Sequence, residues 1–518
     1  MRRQLAVVAL SALALTACGS RADFSVVQGS GNGDGDTVAS SDGSSSGTPE
    51  ATAAPGSSTA GGTTGVVGST ATGGTTGGSA TGSSSGTSTG AAPGTTAGGS
   101  TGGTTGGLVS SGAPIRLAYI IQGTAGVSAV TGSQVSGSSD VASRTMNALV
   151  AYANAHGGVG GRKISATGQK SEATSQPSDR MALCKHITED LKAQVLLDAN
   201  QYLWEEGWAC FAQHKTDYLG NVTATDRSFL AKYGPYVVTT YMTEDRSMRA
   251  AVQGGNATGF YKGGKVGVLL SDVPTSHRLA DQVLKPELAK IGITNVQYRY
   301  ISNDTGGGQT AQTNSAVLAF QQAGVNRILF FHNIVVYLAF TNQASSQGYS
   351  PRYVFTDYQG MTGVAAFYGN ASQNAGSLGI SSSASFVRDD ASQKSTDTTA
   401  AYDRAKMTPG QRSCLDILTK QTGKNYYDPN ASGDSLATWS YYCDEFFAWW
   451  DAAKLIGASW TPGALGTGLA QLGNSYQSTI QNSTHFGPGV FDGASTYRVG
   501  NYTSSCTCYV KATGWLPI

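Results

Sequence analysis

The chain has 518 residues, a formal net charge of +1 and 13% charged residues, with no basic block and no acidic tail. That balance argues against nucleic acid or an anionic lipid surface as an electrostatic partner. Glycine numbers 69, and the glycines crowd into the N-terminal part of the chain, so much of the length cannot contribute to a hydrophobic core.

The first element is a leader. Arg2 and Arg3 precede the apolar run Leu5 to Leu15, and small residues follow in Thr16-Ala17-Cys18-Gly19. The run falls short of the roughly 20 apolar residues that span a bilayer and has the layout of a secretory signal over residues 1–17. Leu15-Thr16-Ala17-Cys18 resembles the lipobox of bacterial lipoproteins. That resemblance implies cleavage before Cys18, a diacylglycerol thioether on its sulfur and an acylated amine such as a palmitoyl amide. The protein would then be held at the outer face of the cytoplasmic membrane. At about 0.8 kcal/mol per buried CH2, several acyl chains anchor far better than one.

Residues 18–113 follow as a tether. Beyond Cys18 they are almost entirely Gly, Ser, Thr and Ala, with Pro49, Pro55 and Pro93 scattered among them. Such a stretch cannot offset its ordering entropy by burial. As a flexible coil of roughly 95 residues it would have a root-mean-square span on the order of 50 to 60 Å. Its abundant hydroxyls also fit a glycosylated stalk.

From Pro114 to Ile518 the composition is that of a globular protein. About 400 residues exceed what one core organises, which predicts two lobes. Ile115 to Ile121 is a short apolar run suited to a buried parallel strand, and a helical pattern follows over about residues 140–155. Pro177 opens another helix that places Met181, Cys184, Ile187 and Leu191 on one face and leads to a strand at Gln194 to Leu197. Further strands are predicted at Lys265 to Leu270, Val296 to Ile301, Arg327 to His332 and Tyr353 to Thr356, with helices near 276–290, 309–323 and 334–347. Strict alternation of strand and helix indicates an α/β fold with doubly wound parallel sheets. Late in the chain, Leu436, Trp439, Cys443, Phe446, Trp450 and Ala453 recur at three- and four-residue spacing, marking a buried helix face rather than a sugar-stacking platform.

Six cysteines remain after Cys18, an even number that reads as disulfides in an exported chain. Their grouping favours Cys184 with Cys210, Cys414 with Cys443, and Cys506 with Cys508. A structural zinc site would need flanking ligands that Cys506-Thr507-Cys508 lacks. The glycines Gly157 to Gly161 close a helix and enter a strand, the reverse of a phosphate-binding loop, and so read as a helix stop. Between Pro114 and Ile518 there is no G-x-S-x-G elbow, H-E-x-x-H pair or phosphate loop, which disfavours a cell-envelope hydrolase, and no cofactor or metal is implied. The adjacent acids Glu205-Glu206 and Asp389-Asp390 point in different directions on any regular element and read as solvated surface.

The order of these elements resembles the type I periplasmic binding proteins, specifically the branched-chain amino-acid-binding group that serves ABC importers. Asn154-Ala155-His156-Gly157-Gly158-Val159-Gly160-Gly161-Arg162-Lys163-Ile164 is similar to that family's first helix end and turn into the second strand. Phe486-Gly487-Pro488-Gly489-Val490-Phe491-Asp492-Gly493 is similar to its late glycine-rich segment. The resemblance covers about residues 115 to 518. It implies two doubly wound parallel-sheet lobes joined by a three-strand hinge, lobe one at about 114–242 and 379–480, lobe two at about 243–378 and 481–518, with a ligand between them.

Ligands of parallel sheets sit at the carboxyl ends of the strands. In lobe one that selects Gln122 and Thr124 after the first strand, Gln201 and Tyr202 after the third, and Thr223 and Thr225 after the fourth. The last pair ranks highest, because the stretch resembles the family's carboxylate-gripping segment. In lobe two it selects Asp272, His277, Asn333, Asp357 and Tyr358, with Asp357 lying where the family supplies a carboxylate to a ligand ammonium. The family commonly has a Tyr-Gly pair where this chain reads Thr275-Ser276-His277, a departure from the branched-chain pattern. His277 and His332 read as polar surface ahead of ligand contacts.

The function so implied is not enzymatic. The chain reads as an extracytoplasmic solute-binding lipoprotein that takes a small polar solute, an amino acid or a related compound, for an ABC permease. Its partners are then the solute, the permease and, through the lipid, the membrane. A ligand-sensing module of a membrane signalling system is the other reading compatible with this fold.

Overall fold

A computed structural model of the protein describes residues 112–123, 138–172, 176–199, 203–220, 225–303, 307–391, 403–432 and 436–518. The leader, Cys18 and the tether to residue 111 lie outside the described residues, as do Thr124, Gln201, Tyr202 and Thr223.

The first strands are β1 (Ile115–Gly123), β2 (Ile164–Glu172), β3 (Val195–Asp198), β4 (Asp217–Gly220) and β5 (Val237–Val238). They form an entirely parallel sheet in the order β2-β1-β3-β4-β5. Alternation along each strand decides what covers each face. Ile115, Leu117, Tyr119, Val195, Leu197 and Leu219 pack with the helices Ser138–Ala155, Pro409–Thr422 and Leu436–Ile456. Ala118, Ile120, Leu196 and Tyr218 face Cys184, Ile187, Trp208 and Phe211 on the opposite side. The helix opened by Pro177 runs to Lys185 and continues through a wider turn, His186–Asp190.

The second sheet begins with β6 (Val266–Ser271), β7 (Val296–Ile301), β8 (Arg327–Phe331), β9 (Arg352–Phe355) and β10 (Leu378–Ser381). These are parallel, in the order β7-β6-β8-β9-β10, which repeats the winding of the first sheet. The sheet then departs from the wholly parallel expectation. β11 (Val387–Arg388), β12 (Thr496–Thr503), β13 (Cys508–Lys511) and β14 (Leu516–Pro517) extend it, and β12 runs antiparallel to β10, β13 and β14. The lobe boundary expected at 378/379 also moves. Gly379, Ile380 and Ser381 are hydrogen-bonded into the second sheet, because β10 is the fifth strand of its winding as β5 is of the first.

Three chain segments then cross between the sheets, and they pair with one another. After β5, the amide of Thr239 donates to the Phe491 carbonyl and the Thr239 carbonyl accepts from Gly493, both at 2.9 Å. After β10, the Ser382 carbonyl accepts from the amide of Asn482 at 3.0 Å and the Ala384 amide donates to Ile480 at 2.9 Å. The late glycine-rich segment is therefore part of the third crossing, hydrogen-bonded to the first.

The earlier glycine turn stops its helix as the sequence indicates. The Gly158 amide bonds back to Ala153 at 2.8 Å, and Gly157 and Gly158 have φ of +91° and +62°. Asn154 links the helix end to β2, accepting from the Ile164 amide at 2.7 Å and donating to its carbonyl at 2.9 Å. A Cβ on Gly160 would come within 2.2 Å of the Ala458 backbone, so the turn must lie flat against the end of the aromatic helix. On that helix Trp439, Cys443, Phe446 and Ala453 are inaccessible and Trp450 is nearly so, donating its indole N–H to the Gly158 carbonyl at 2.9 Å. The aromatic stripe is core.

The structure joins Cys184 to Cys210, Cys414 to Cys443 and Cys506 to Cys508, with Cα separations of 6.4, 6.0 and 5.2 Å. Among the described residues no helix is long and apolar enough to cross a membrane.

Candidate functional site

The lobes meet where the carboxyl ends of their strands face one another. From lobe one come Asp198 at the end of β3, Glu205 in the first turn of the helix Trp204–Gln213, and Thr225 and Asp226 ahead of the helix Arg227–Tyr233. Asp226 caps that last helix, accepting from the Phe229 amide at 3.0 Å. From lobe two come Ser271 at the end of β6 and the short helix Pro274–Leu279. Glu205 is shared across the seam: its Oε1 accepts from Thr225 Oγ1 at 2.5 Å and from Thr275 Oγ1 of the other lobe at 2.8 Å. Arg278 of lobe two pairs with Asp226 of lobe one. Glu244, where the chain enters lobe two, donates its amide to the Thr225 carbonyl at 2.7 Å, and its carboxyl accepts from Ser276 Oγ at 3.2 Å.

Burial sets the protonation of these acids. Desolvation raises the pKa of Glu205 against the hydroxyl bonds that oppose it, and raises that of the fully buried Glu244 to about 8, with the charges of Glu205 and Asp226 adding to the rise. Asp226 goes the other way. Burial works against its ionisation, but the bonds from Arg278, the Phe229 amide and Ser228 outweigh it and lower its pKa.

Deeper in the seam, Asp357 and Tyr358 follow β9. Asp357 Oδ2 accepts from Ser381 Oγ at 2.9 Å, the Ser382 amide at 2.8 Å and Ser382 Oγ at 3.1 Å, whereas its Oδ1 is buried with no hydrogen-bond partner among the described residues. Desolvation raises its pKa to about 6 in spite of those bonds. Tyr358 places its hydroxyl 2.9 Å from Ser271 Oγ. Gln359 and Gly360 then take the left-handed conformation, with φ of +48° and +70°. A non-glycine residue there stores strain, and that turn faces lobe one: a Cβ on Gly360 would lie 3.8 Å from the Tyr441 hydroxyl. Tyr241, on the first crossing, stacks nearly parallel on Tyr441 at 6.2 Å, and its hydroxyl feels the charges of Asp444, Glu445 and Asp357. Glu445, on the aromatic helix, lies beside Asp198. Its carboxyl is buried, and among the described residues neither oxygen has a partner; desolvation, then Asp198 and Asp444, hold its pKa well above the usual range.

Two carboxylates gather the crossings, Asp444 of the aromatic helix and Asp492 of the third crossing. Asp444 accepts from Thr240 Oγ1 at 2.5 Å, Ser478 Oγ at 2.6 Å and the Thr479 amide at 2.7 Å. Asp492 accepts from Arg246 Nη1 at 2.7 Å and from Arg227 Nε and Thr243 Oγ1 at 3.1 Å. Arg227 belongs to lobe one and Arg246 to lobe two, so the third crossing ties both.

Of the residues singled out in the sequence, Thr225, Asp357 and Tyr358 are buried at this seam. Gln122 lies at the carboxyl end of β1, in register with Ser171. Asp272 and His277 are half exposed and pair with each other at 2.7 Å, and His277 stacks on Tyr300 at 3.8 Å. Asn333 is a helix cap whose Oδ1 accepts from the Val336 amide at 3.1 Å. His332 is buried rather than on the surface. Its Nε2 lies 2.8 Å from the Ile301 carbonyl and its Nδ1 accepts from the Asn333 amide at 2.9 Å, while desolvation lowers its pKa to about 4 and keeps it neutral. Glu205, expected in solvent, is instead the acceptor shared by the two lobes, and Glu206 beside it pairs with Arg180. Glu244, Tyr241, Tyr441 and Glu445 went unselected. An Asp444-Glu445 pair inside an otherwise apolar aromatic helix was the available signal for the last of them. Among the described residues no group of three or more His, Cys, Asp or Glu side chains could hold a metal ion.

No protein-family model matches the sequence, and no curated protein matches it. Solved structures do match in fold. One is a possible leucine/isoleucine/valine-binding protein from Rhodopirellula baltica SH 1, at 12% identity and a TM-score of 0.55, covering 78% of this chain and 97% of its own. A branched-chain amino-acid ABC transporter protein from Thermus thermophilus with bound valine matches at 14% identity and 0.55, with coverage of 78% and 97%. A solute-binding protein of an ABC transporter from R. palustris in complex with 4-hydroxybenzoate matches with the same identity, score and coverage. The chain has the two-sheet α/β fold of the type I periplasmic binding proteins.

Proposed function

We propose that the protein is an extracytoplasmic solute-binding lipoprotein, anchored through Cys18 and a long tether, that closes two lobes on a small polar solute and delivers it to an ABC permease. The observation that supports it most directly is the sharing of one seam by polar groups of both lobes at their strand ends, with Glu205 accepting from Thr225 of one lobe and Thr275 of the other. Closure of this kind shifts a hinge equilibrium, because only the closed form contacts a ligand from both sides. The neighbours in fold, with valine in one and 4-hydroxybenzoate in another, support a solute of amino-acid size without naming it. The lipobox-like sequence supports the anchor.

The test is a thermal-shift series over amino acids, amides, short peptides, amines and small organic acids. One class raises the melting temperature; silence across all of them refutes solute capture. For the anchor, Cys18→Ser releases the protein from the membrane fraction, and continued membrane association of that variant refutes lipidation at Cys18.

A further inference from the structure

The seam is rich in buried acceptors and poor in cations. Glu244 Oε2, Asp357 Oδ1 and both oxygens of Glu445 are buried without hydrogen-bond partners among the described residues, and so is the hydroxyl of Tyr241. Leaving such groups unmade is costly, and a buried ionised carboxylate without a counter-charge costs more. The Oδ2 of Asp357 takes one backbone N–H and two hydroxyls, and among the described residues no cation joins them.

The sequence supplies almost no compensating charge. Residues 122–139, 199–203 and 221–225 follow strands β1, β3 and β4, and residues 272–277, 302–306, 332–333 and 356–360 follow β6 to β9. None of these segments contains a lysine or an arginine. Just beyond them, Arg278 is already paired with Asp226 and Arg227 with Asp492, and Arg144, in the helix after β1, carries a buried Nε. An anionic ligand such as an aromatic acid would add negative charge to this set. A zwitterion would balance one carboxylate and bring another.

We propose that the solute is a small organic cation with two N–H-bearing basic groups, a diamine or an amino-guanidine. Asp357 of lobe two takes one group and Glu445 of lobe one, with Asp198 beside it, takes the other. Tyr241 lies near both poles, its hydroxyl feeling the charges of Glu445 and Asp357. The two poles sit on different lobes, so a dication bridges them and favours the closed form, whereas a monovalent solute satisfies one side only. The inference rests on the solute-binding reading and names the class of solute.

Isothermal titration calorimetry on the full chain in detergent tests it, with 1,4-diaminobutane and agmatine as basic probes and leucine and 4-hydroxybenzoate as comparators. At least one basic probe binds 10-fold or more tightly than either comparator. Glu445→Gln and Asp357→Asn each weaken it about 10-fold or more, with the circular dichroism spectrum unchanged. Either variant alone suffices if the other fails to fold. Binding of leucine or 4-hydroxybenzoate without binding of either basic probe overturns this inference and leaves solute capture standing. Silence of all four probes also overturns it, and the wider thermal-shift series then decides solute capture separately.

Discussion

Replacing Asp492 with alanine removes the hub of the third crossing. Its carboxyl is held by Arg246, whose side chain is 7% exposed, and by Arg227, which is 52% exposed. The exposed pair is worth roughly 0 to 1 kcal/mol. The buried one dominates, because Asp492→Ala strands the Arg246 guanidinium with only the Ala494 carbonyl at 2.6 Å and the Asp492 carbonyl as acceptors. Breaking a buried pair on one side costs about 3 to 5 kcal/mol, whereas replacing both partners with apolar groups is close to neutral. Urea unfolding followed by circular dichroism should therefore lose about 3 to 5 kcal/mol for Asp492→Ala and recover most of it in the double variant Arg246→Met, Asp492→Leu. A single-variant loss below about 1 kcal/mol, or a double variant no more stable than the single, would refute the assignment of Asp492 as the tie between lobes.

Glu244 makes stability depend on pH in a definite direction. Its folded pKa of about 8 exceeds the ordinary 4.5, so between those values the folded state holds a proton the unfolded state lacks, and stability falls as pH rises through that window. Glu244→Gln should flatten this decline and stabilise the protein at pH 8 to 9, by an amount on the order of a few kcal/mol; an unchanged slope between pH 5 and 8 speaks against it. Asn333→Ala should cost about 1 kcal/mol by removing a helix cap while leaving solute affinity untouched, and a selective loss of affinity would restore it to the site. Replacing Cys184 and Cys210 together with serine opens a loop with a sequence separation of 26 and should cost about 3 to 4 kcal/mol in the same urea assay.

The alternating strands and helices were legible because burial on both faces of a parallel sheet writes apolar runs such as Ile115 to Ile121 and Arg327 to Phe331 directly into the sequence. Partner choice was not. Asn333 and Asp272 carry the same polar groups whether they bind a ligand or a neighbour, and only the fold shows that one caps a helix and the other pairs with His277. Glu205 was read as solvated because adjacent acids point in different directions; they do diverge, but one side chain runs into the seam and the other to Arg180. The boundary at 378/379 failed for a related reason. Nothing in Leu378–Ser381 states which sheet it joins, and the repeated winding order decides it.

The return of the chain to its first lobe has a consequence for how the protein is made. One face of the β1 to β5 sheet receives the helix Ser138–Ala155 early, but its remaining cover is the late pair Pro409–Thr422 and Leu436–Ile456. Contacts such as Tyr442 Oη to the Ile120 carbonyl close over 322 residues. A chain delivered N-terminus first must keep Leu117, Leu197 and Leu219 waiting while roughly 170 further residues arrive, on the order of 10 to 30 seconds at synthesis rates of about 5 to 20 residues per second. Aggregation during synthesis is thus the hazard built into this topology, and the first lobe reaches its native packing only after the second has been supplied.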